Sequence, residues 1–303
     1  MSSSHLLASR LFSVKNLVAF VSGGGTGIGL MATQALAANG AKVYICGRRK
    51  EALDRVVEVY SPQVEGQIIA LPGDVTNKDD IKRLAEEIRQ REGGLHILVN
   101  NAGISGEVTK FDEEKPSAEV LSERLMKEQT FEGWNEVFQT NVSSMFFMTA
   151  AMLPLLAKFT NGGDAAGRAI YENFATGVIN ITSISGLVKV AQNHFAYNAS
   201  KAAANHIQRM TATEFAHTGI RFNAIAPGVY PSEMTGSDSD SKNKTSLEGK
   251  FDPASLGVPA GRAGSEEDMA GTILYLSSRA GQYTNGAIIP VDGGTLLTNP
   301  SAY

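Results

Sequence analysis

Three residues of this 303-residue chain have types and spacing suited to proton transfer: Ser183, Tyr197 and Lys201. Tyr197 and Lys201 lie four apart, so on a helix they share a face. An ammonium beside a phenol favours phenolate and would lower the tyrosine pKa from about 10 towards neutrality. A general acid works best with a pKa near the working pH. Ser183, with Ser185 as the neighbour it could be mistaken for, would add a hydroxyl donor. Taken alone, the Tyr–Lys pair also describes an interfacial tyrosine and a surface lysine, and Ser183 a serine capping a strand end.

The flanking stretches say how these groups are held. Gly177–Thr182 is β-branched and apolar, as a buried strand would be. Tyr197 opens an Ala-rich segment running to about His217, as a helix would. Six further strands are expected at Leu17–Val21, Lys42–Cys46, Gln67–Leu71, His96–Val99, Ile220–Ala226 and Ala287–Val291, the last an edge strand because of Pro290. Helical patterns fall between them: Leu30–Asn39 ended by Gly40, Asn77–Arg91 ended by Gly93, Phe131–Ala157, and Met269–Ser277 capped by Ser265 and Asp268. Strands alternating with helices predict an α/β fold, one doubly wound domain over residues 1–303 with a seven-stranded, mostly parallel sheet. Ligands of such sheets bind at the carboxyl ends of the strands. Ser22, Arg48, Asp74, Asn100 and Ser183 all fall there.

Composition narrows the function. The chain is 43% hydrophobic with net charge −4, and no basic stripe suggests nucleic acid. Cys46 is the only cysteine, which points to a reducing compartment and a cytoplasmic location. The most apolar run, Val142–Ala157, is shorter than the roughly 20 residues a bilayer span requires. Met1–Lys15 is Ser-rich, with Arg10, Lys15 and no acid. It reads as a short arm packing Leu11, Phe12 and Val14 under the first strand, with a weak organellar transit peptide as the other reading.

Between the first strand and its helix lies Ser22-Gly-Gly-Gly-Thr-Gly-Ile-Gly29. Strand, glycine turn and helix make the first unit of a dinucleotide fold, where backbone approaches a pyrophosphate at a helix N-terminus. Together with Asn100-Asn-Ala-Gly103, Thr140-Asn141-Val142, Ser183 and Tyr197-x-x-x-Lys201, this turn resembles the short-chain dehydrogenase/reductase family over about Leu17–Gly294. Gly23, Gly27 and Gly29 match that family's Gly-x-x-x-Gly-x-Gly spacing. The nearest likeness is to β-ketoacyl-carrier-protein reductases, including the rhamnolipid type, and to fungal relatives sharing Ala226–Met234.

The resemblance implies that Ser183, Tyr197, Lys201 and Asn141 are catalytic, Asn141 holding a water that links the lysine to solvent. It implies cofactor contacts from Ser22, Gly23, Thr26, Gly27, Ile28 and Gly29, from Asp74 and Val75 beside the adenine, and from Asn101, Ala102 and Gly103. Tyr197, Lys201, Pro227, Gly228, Val229 and Ser232 complete that set. No metal is implied. Asp74 could equally cap the next helix. NAD enzymes usually place an acid at the end of the second strand. Here Gly47 is followed by Arg48 and Arg49, whose guanidinium groups suit a 2′-phosphate. NADP(H) is therefore the expected cofactor.

The expected function is an NADPH-dependent carbonyl reductase of a ketoacyl or secondary-metabolite ketone, with Tyr197 as general acid. An NAD-dependent alcohol dehydrogenase and a non-redox or regulatory NADP-binding protein remain open. A small-molecule carbonyl or alcohol is the expected partner, without membrane or nucleic acid, in a homodimer or homotetramer. Residues 104–130 and 158–175 read as insertions, the first as a rim of the site or a solvated elaboration. Residues 229–262 read as a substrate lid, its polar part 235–256 mobile.

Overall fold

Runs of four to seven residues dense in Val, Ile and Phe form the sheet on which the molecule is built. The computed structural model describes residues 3–111, 115–160, 174–236, 238–248, 252, 257–299 and 301. The strands are β1 (Val18–Ser22), β2 (Lys42–Cys46), β3 (Gln67–Ala70), β4 (Ile97–Asn100), β5 (Gly177–Ile181), β6 (Arg221–Pro227) and β7 (Ile288–Val291). Their order is β3-β2-β1-β4-β5-β6-β7, and every pairing is parallel. The chain leaves β1 in one direction and resumes at β4 in the other, so the topological switch point lies between their carboxyl ends. Pro290 is exposed on edge strand β7, where its missing N–H costs no ladder bond.

The helices are α1 (Ala8–Leu11), α2 (Gly27–Ala38), α3 (Lys50–Tyr60), α4 (Lys78–Glu92), α5 (Ala118–Glu128), α6 (Phe131–Phe138), α7 (Ser144–Phe159), α8 (Phe195–Glu214), α9 (Glu266–Ser277) and α10 (Thr295–Thr298). Side chains alternate across a strand, and the two faces carry two cores. Ala19, Val21, Ile45, Val99 and Ile225 pack with Leu36 of α2, Leu53 of α3 and Ile273 of α9. Phe20, Tyr44, Leu98, Val178 and Phe222 pack with Leu84 of α4 and Met152 of α7.

Several boundaries differ from the sequence reading. The stretch expected as one helix over Phe131–Ala157 is broken by a π-helical turn at Gln139–Ser143, which widens the coil by a residue. Helix α8 begins two residues before Tyr197 and ends at Glu214. Helix α3 was not anticipated; its polar residues mask Leu53, Val56 and Tyr60 as a buried stripe. By length and composition the Phe131–Phe159 helix is long and apolar enough to cross a bilayer, contrary to the reading of its Val142–Ala157 part. Half of its most apolar 18-residue window is nevertheless buried inside the protein. Among the described residues of the N-terminal arm only Val14 is buried, whereas Phe12 is exposed and Leu11 half-buried. The second insertion, read over 158–175, lies for the most part outside the described residues.

Candidate active site

The glycine turn is fixed by β4. Asn101 Nδ2 donates to the carbonyls of Ser22 (3.0 Å) and Gly23 (3.1 Å) across the switch point. Ser22 Oγ accepts from the amides of Asn101 and Ala102. Ser22 is thus a clamp below the surface, not a cavity wall. Two glycines are dictated by space. A Cβ on Gly29 would sit 2.0 Å from the Gly23 carbonyl oxygen. Gly23 has φ +66°, a conformation L side chains rarely adopt, and a Cβ there would meet Asn101 Nδ2 at 2.8 Å. Thr26, at the N-cap of α2, makes no side-chain cap bond, so the first amides of that helix are not answered by its own cap.

These groups open on a cavity of about 540 Å³ at the carboxyl edge of the sheet. Gly23, Thr26, Gly27, Ile28, Arg48, Arg49, Asp74, Val75, Asn101, Ala102, Gly103, Ser183, Tyr197, Lys201, Pro227, Gly228 and Ser232 all line it, so residues from across the chain meet in one space. Ser22, Gly29 and Asn141 support its wall from behind, and Val229 lines a smaller neighbouring pocket. Leu53, Thr76 and Ile104 line the cavity without having been named from the sequence, and Thr140, Tyr230, Glu233 and Met234 line it though read only as parts of motifs. Most of them are apolar or neutral, with nothing in type or spacing to mark them.

At one end of the cavity lie the groups able to move a proton. Ser183 ends the β5 segment and is buried. Its Oγ accepts from the Ser185 amide at 3.0 Å, which leaves its own hydrogen to donate. Burial raises the Tyr197 pKa above the ordinary phenol value, while the Ser183 hydroxyl against it pulls the other way. Burial also lowers Lys201, to about 8. Its Nζ donates to the Ile181 carbonyl at 3.1 Å and stands 5.6 Å from the Tyr197 ring centre. The expected lowering of the tyrosine by its neighbouring cation is therefore not what this arrangement produces: desolvation dominates at both groups and moves each towards its neutral form.

Asn141 sits in the π turn and is buried. Its amide brackets Ile104, accepting from the Ile104 amide (2.8 Å) and donating to its carbonyl (2.9 Å), and it donates to Ser200 Oγ (3.0 Å). Asn141 Oδ1 and Lys201 Nζ both face Gly103, lying 3.1 and 3.6 Å from where a Cβ would be. The first insertion also reaches this end, because the Thr109 amide donates to the Asn193 carbonyl (2.9 Å) just ahead of α8.

The opposite end is basic. Arg48 has no ion pair among the described residues. Arg49 is not free: it binds Glu233 through two bonds, of 3.1 and 2.7 Å. Asp74 does not cap α4. Its Oδ1 accepts from the Thr76 amide and hydroxyl, and Asn77 caps the helix by accepting from the Asp79 and Asp80 amides. The polar stretch after β6 also departs from its reading as a mobile lid. Within the described residues 238–248, Asn243 is buried and donates to the carbonyls of Gly25 (2.9 Å) and Ala52 (2.8 Å). Tyr60 Oη donates to the Lys242 carbonyl (2.7 Å).

A parallel sheet with a glycine turn at its switch point, and Ser, Tyr and Lys converging at its strand ends, define a dinucleotide-type oxidoreductase. Residues 23–295 match the family model described as enoyl-(acyl carrier protein) reductase. The short-chain dehydrogenase/reductase PhomF of Diaporthe leptostromiformis is 41% identical, covering 98% of this chain and 97% of that one. The rhamnolipids biosynthesis 3-oxoacyl-(acyl-carrier-protein) reductase of Pseudomonas aeruginosa is 33% identical, covering 93% and 97%. Among solved structures, the Pseudomonas aeruginosa RhlG/NADP active-site complex aligns with a TM-score of 0.74 at 33% identity, covering 94% of this chain and 98% of that one. The chain belongs to the short-chain dehydrogenase/reductase family, oxidoreductases acting on the CH–OH/C=O couple.

Proposed function

We propose that this protein is an NADPH-dependent carbonyl reductase acting on a ketone of the ketoacyl or secondary-metabolite type. The observation that carries the reading is the polarity of the cavity. Ser183, Tyr197 and Lys201 line one end and Arg48 the other, with the glycine turn between them and no acid between the end of β2 and Glu51. The residues fit a dinucleotide: Gly23 and Gly27 present backbone to the cavity without a side chain, Gly29 lets the turn close on Gly23 where any side chain would collide, the N-terminus of α2 lacks a side-chain cap, and Arg48 is available to a 2′-phosphate. Gly23, Thr26 and Gly27 would hold the pyrophosphate, Asp74 and Val75 the adenine, and Lys201 and Ser232 the nicotinamide half.

Bound in this cavity, NADPH supplies the hydride that reduces the carbonyl carbon. The chain's own residues manage the oxygen. Ser183, whose Oγ already accepts from Ser185, donates its hydrogen to the carbonyl oxygen. Tyr197, held protonated at neutral pH by burial, gives its proton to that oxygen as negative charge develops. Lys201 is largely protonated at neutral pH. It commits one hydrogen to Ile181, which fixes the others towards the cavity. Asn141 holds the Ile104 backbone and, through Ser200, the first turn of α8. The solvent path that reprotonates Tyr197 would pass beside it.

The name of the Pseudomonas aeruginosa relative, a 3-oxoacyl-(acyl-carrier-protein) reductase, supports a ketoacyl substrate. The exposed Phe146 and Phe147 on α7 support pairing of two chains along that helix, and the lone, buried Cys46 supports a cytoplasmic site. The deciding experiment is calorimetric titration of NADPH and NADH into wild type and Arg48→Ala, followed by a ketone screen with the tighter cofactor. NADPH should bind more tightly, and the variant should lose that margin selectively. Equal binding of both, unchanged in Arg48→Ala, would overturn the cofactor assignment.

A further inference from the structure

The acid that β2 lacks at its own end is supplied from a distant part of the chain. Glu233 lies in the loop after β6, 184 positions beyond Arg49, yet Arg49 grips its carboxylate at the end of β2 with two near-parallel bonds. Ser239 Oγ adds a third bond of 2.7 Å. Glu233, Arg48 and Arg49 line the same cavity. The loop that delivers the carboxylate is pinned on both sides. Before Glu233, Ser232 packs so closely on the glycine turn that a Cβ on Gly27 would lie 3.0 Å from Ser232 Cβ. Beyond it, Asn243 holds the Gly25 and Ala52 carbonyls. Glu233 is therefore placed, and does not swing freely in solvent.

We propose that Glu233 is a specificity-determining residue that tempers the preference for NADPH over NADH. The proposal rests on the reading of this cavity as a dinucleotide site. A carboxylate at the end of β2 accepts hydrogen bonds from ribose hydroxyls and so suits NADH. The same carboxylate occupies the Nη1–Nη2 edge of Arg49 and so competes with a 2′-phosphate for that edge of the guanidinium. Arg48, free of any ion pair among the described residues, remains to attract the phosphate. The Arg49–Glu233 pair is substantially exposed, with 60% and 32% of the two side chains accessible, and such pairs are weakly stabilising. A phosphate can therefore displace Glu233, and the preference is reduced but not reversed.

The test is calorimetry with NADPH, NADH and the adenosine half-cofactor with and without its 2′-phosphate, on wild type, Glu233→Gln, Arg49→Ala and the double variant. Glu233→Gln should tighten the phosphate-bearing ligands about fivefold relative to their phosphate-free partners. That gain should disappear when Arg49 is also replaced. An equal change for both ligand types, or a gain that persists without Arg49, would overturn the role of Glu233. Wild type indifferent to the 2′-phosphate, with Arg48→Ala likewise silent, would instead overturn the NADPH reading itself.

Discussion

Lys201 places its ammonium 5.6 Å from the centre of the Tyr197 ring and anchors it on the Ile181 carbonyl. The cation thus sits beside the aromatic face with its position set by β5. Tyr197→Phe keeps that face and removes only the hydroxyl. Turnover should fall by about a thousandfold or more, while NADPH affinity measured by calorimetry stays within a few-fold of wild type. Residual reduction near the wild-type rate would remove Tyr197 from the proton-transfer step.

Burying Lys201 gives stability a pH dependence whose sign can be worked out. Its pKa is about 8 when folded against 10.5 ordinarily. Below pH 8 the lysine is charged in both states, and the cost of burying that charge is fully felt. Between 8 and 10.5 the unfolded chain binds more protons, so stability rises with pH and the cost is gone above that window. Lys201→Met should lack this increment, worth a few kcal/mol. Urea denaturation of both proteins across the window would show it as a difference, in which the titration of other groups cancels. Parallel curves would mean that the lysine stays charged in the fold.

Much of the architecture was legible because its signals are local. Leu17–Val21 is apolar at every position and followed at once by the glycine turn, so strand and phosphate loop identify each other. Ser265 and Asp268 form the capping box their spacing predicts. What could not be read depends on pairs distant in sequence. Nothing around Arg49 announces Glu233. The segment 238–248 is polar enough to pass for disordered chain until Asn243 is seen to be buried. Asp74 and Asn77 are both good caps, and only the backbone decided between them. The pKa direction at Tyr197 was misread for a related reason: spacing on a helix shows that two groups are neighbours but says nothing of how much water surrounds them.

Gly29 tests the cradle directly. Gly29→Ala brings its Cβ against the Gly23 carbonyl, and the turn must shift to relieve the clash. NADPH affinity should fall at least about tenfold, with far-UV circular dichroism unchanged because α2 itself tolerates alanine. Wild-type affinity in this variant would show that the turn relaxes freely and does not define the site.

Arg221 is a structural keystone away from the site. Its buried guanidinium donates to the carbonyls of Leu276 (2.9 Å) and Gly281 (3.0 Å) and reaches that of Ala175 (3.4 Å), tying the start of β6 to the end of α9. The negative end of the α9 dipole helps to hold a charge that burial otherwise opposes. Arg221→Met leaves those carbonyls unanswered and should cost about 3 kcal/mol or more. Cofactor affinity of the remaining folded protein should be unchanged, which equilibrium unfolding and calorimetry can separate.

Asn243 decides whether the strap over the glycine turn is a fixed wall. It adopts φ +58°, which glycine accepts and alanine resists. Asn243→Gly keeps the backbone but deletes the bonds to Gly25 and Ala52; Asn243→Ala deletes the same bonds and adds strain. Glycine should lower stability by about 1–2 kcal/mol and expose residues 238–248 to limited proteolysis, with alanine costing about 1 kcal/mol more. Because Gly25 borders the cofactor cavity, NADPH should bind more weakly to both variants and protect both from cleavage. If instead the glycine variant resists protease like wild type, the strap is held by Tyr60 and the Lys244–Glu266 ion pair, and the Asn243 bonds merely fill a buried corner.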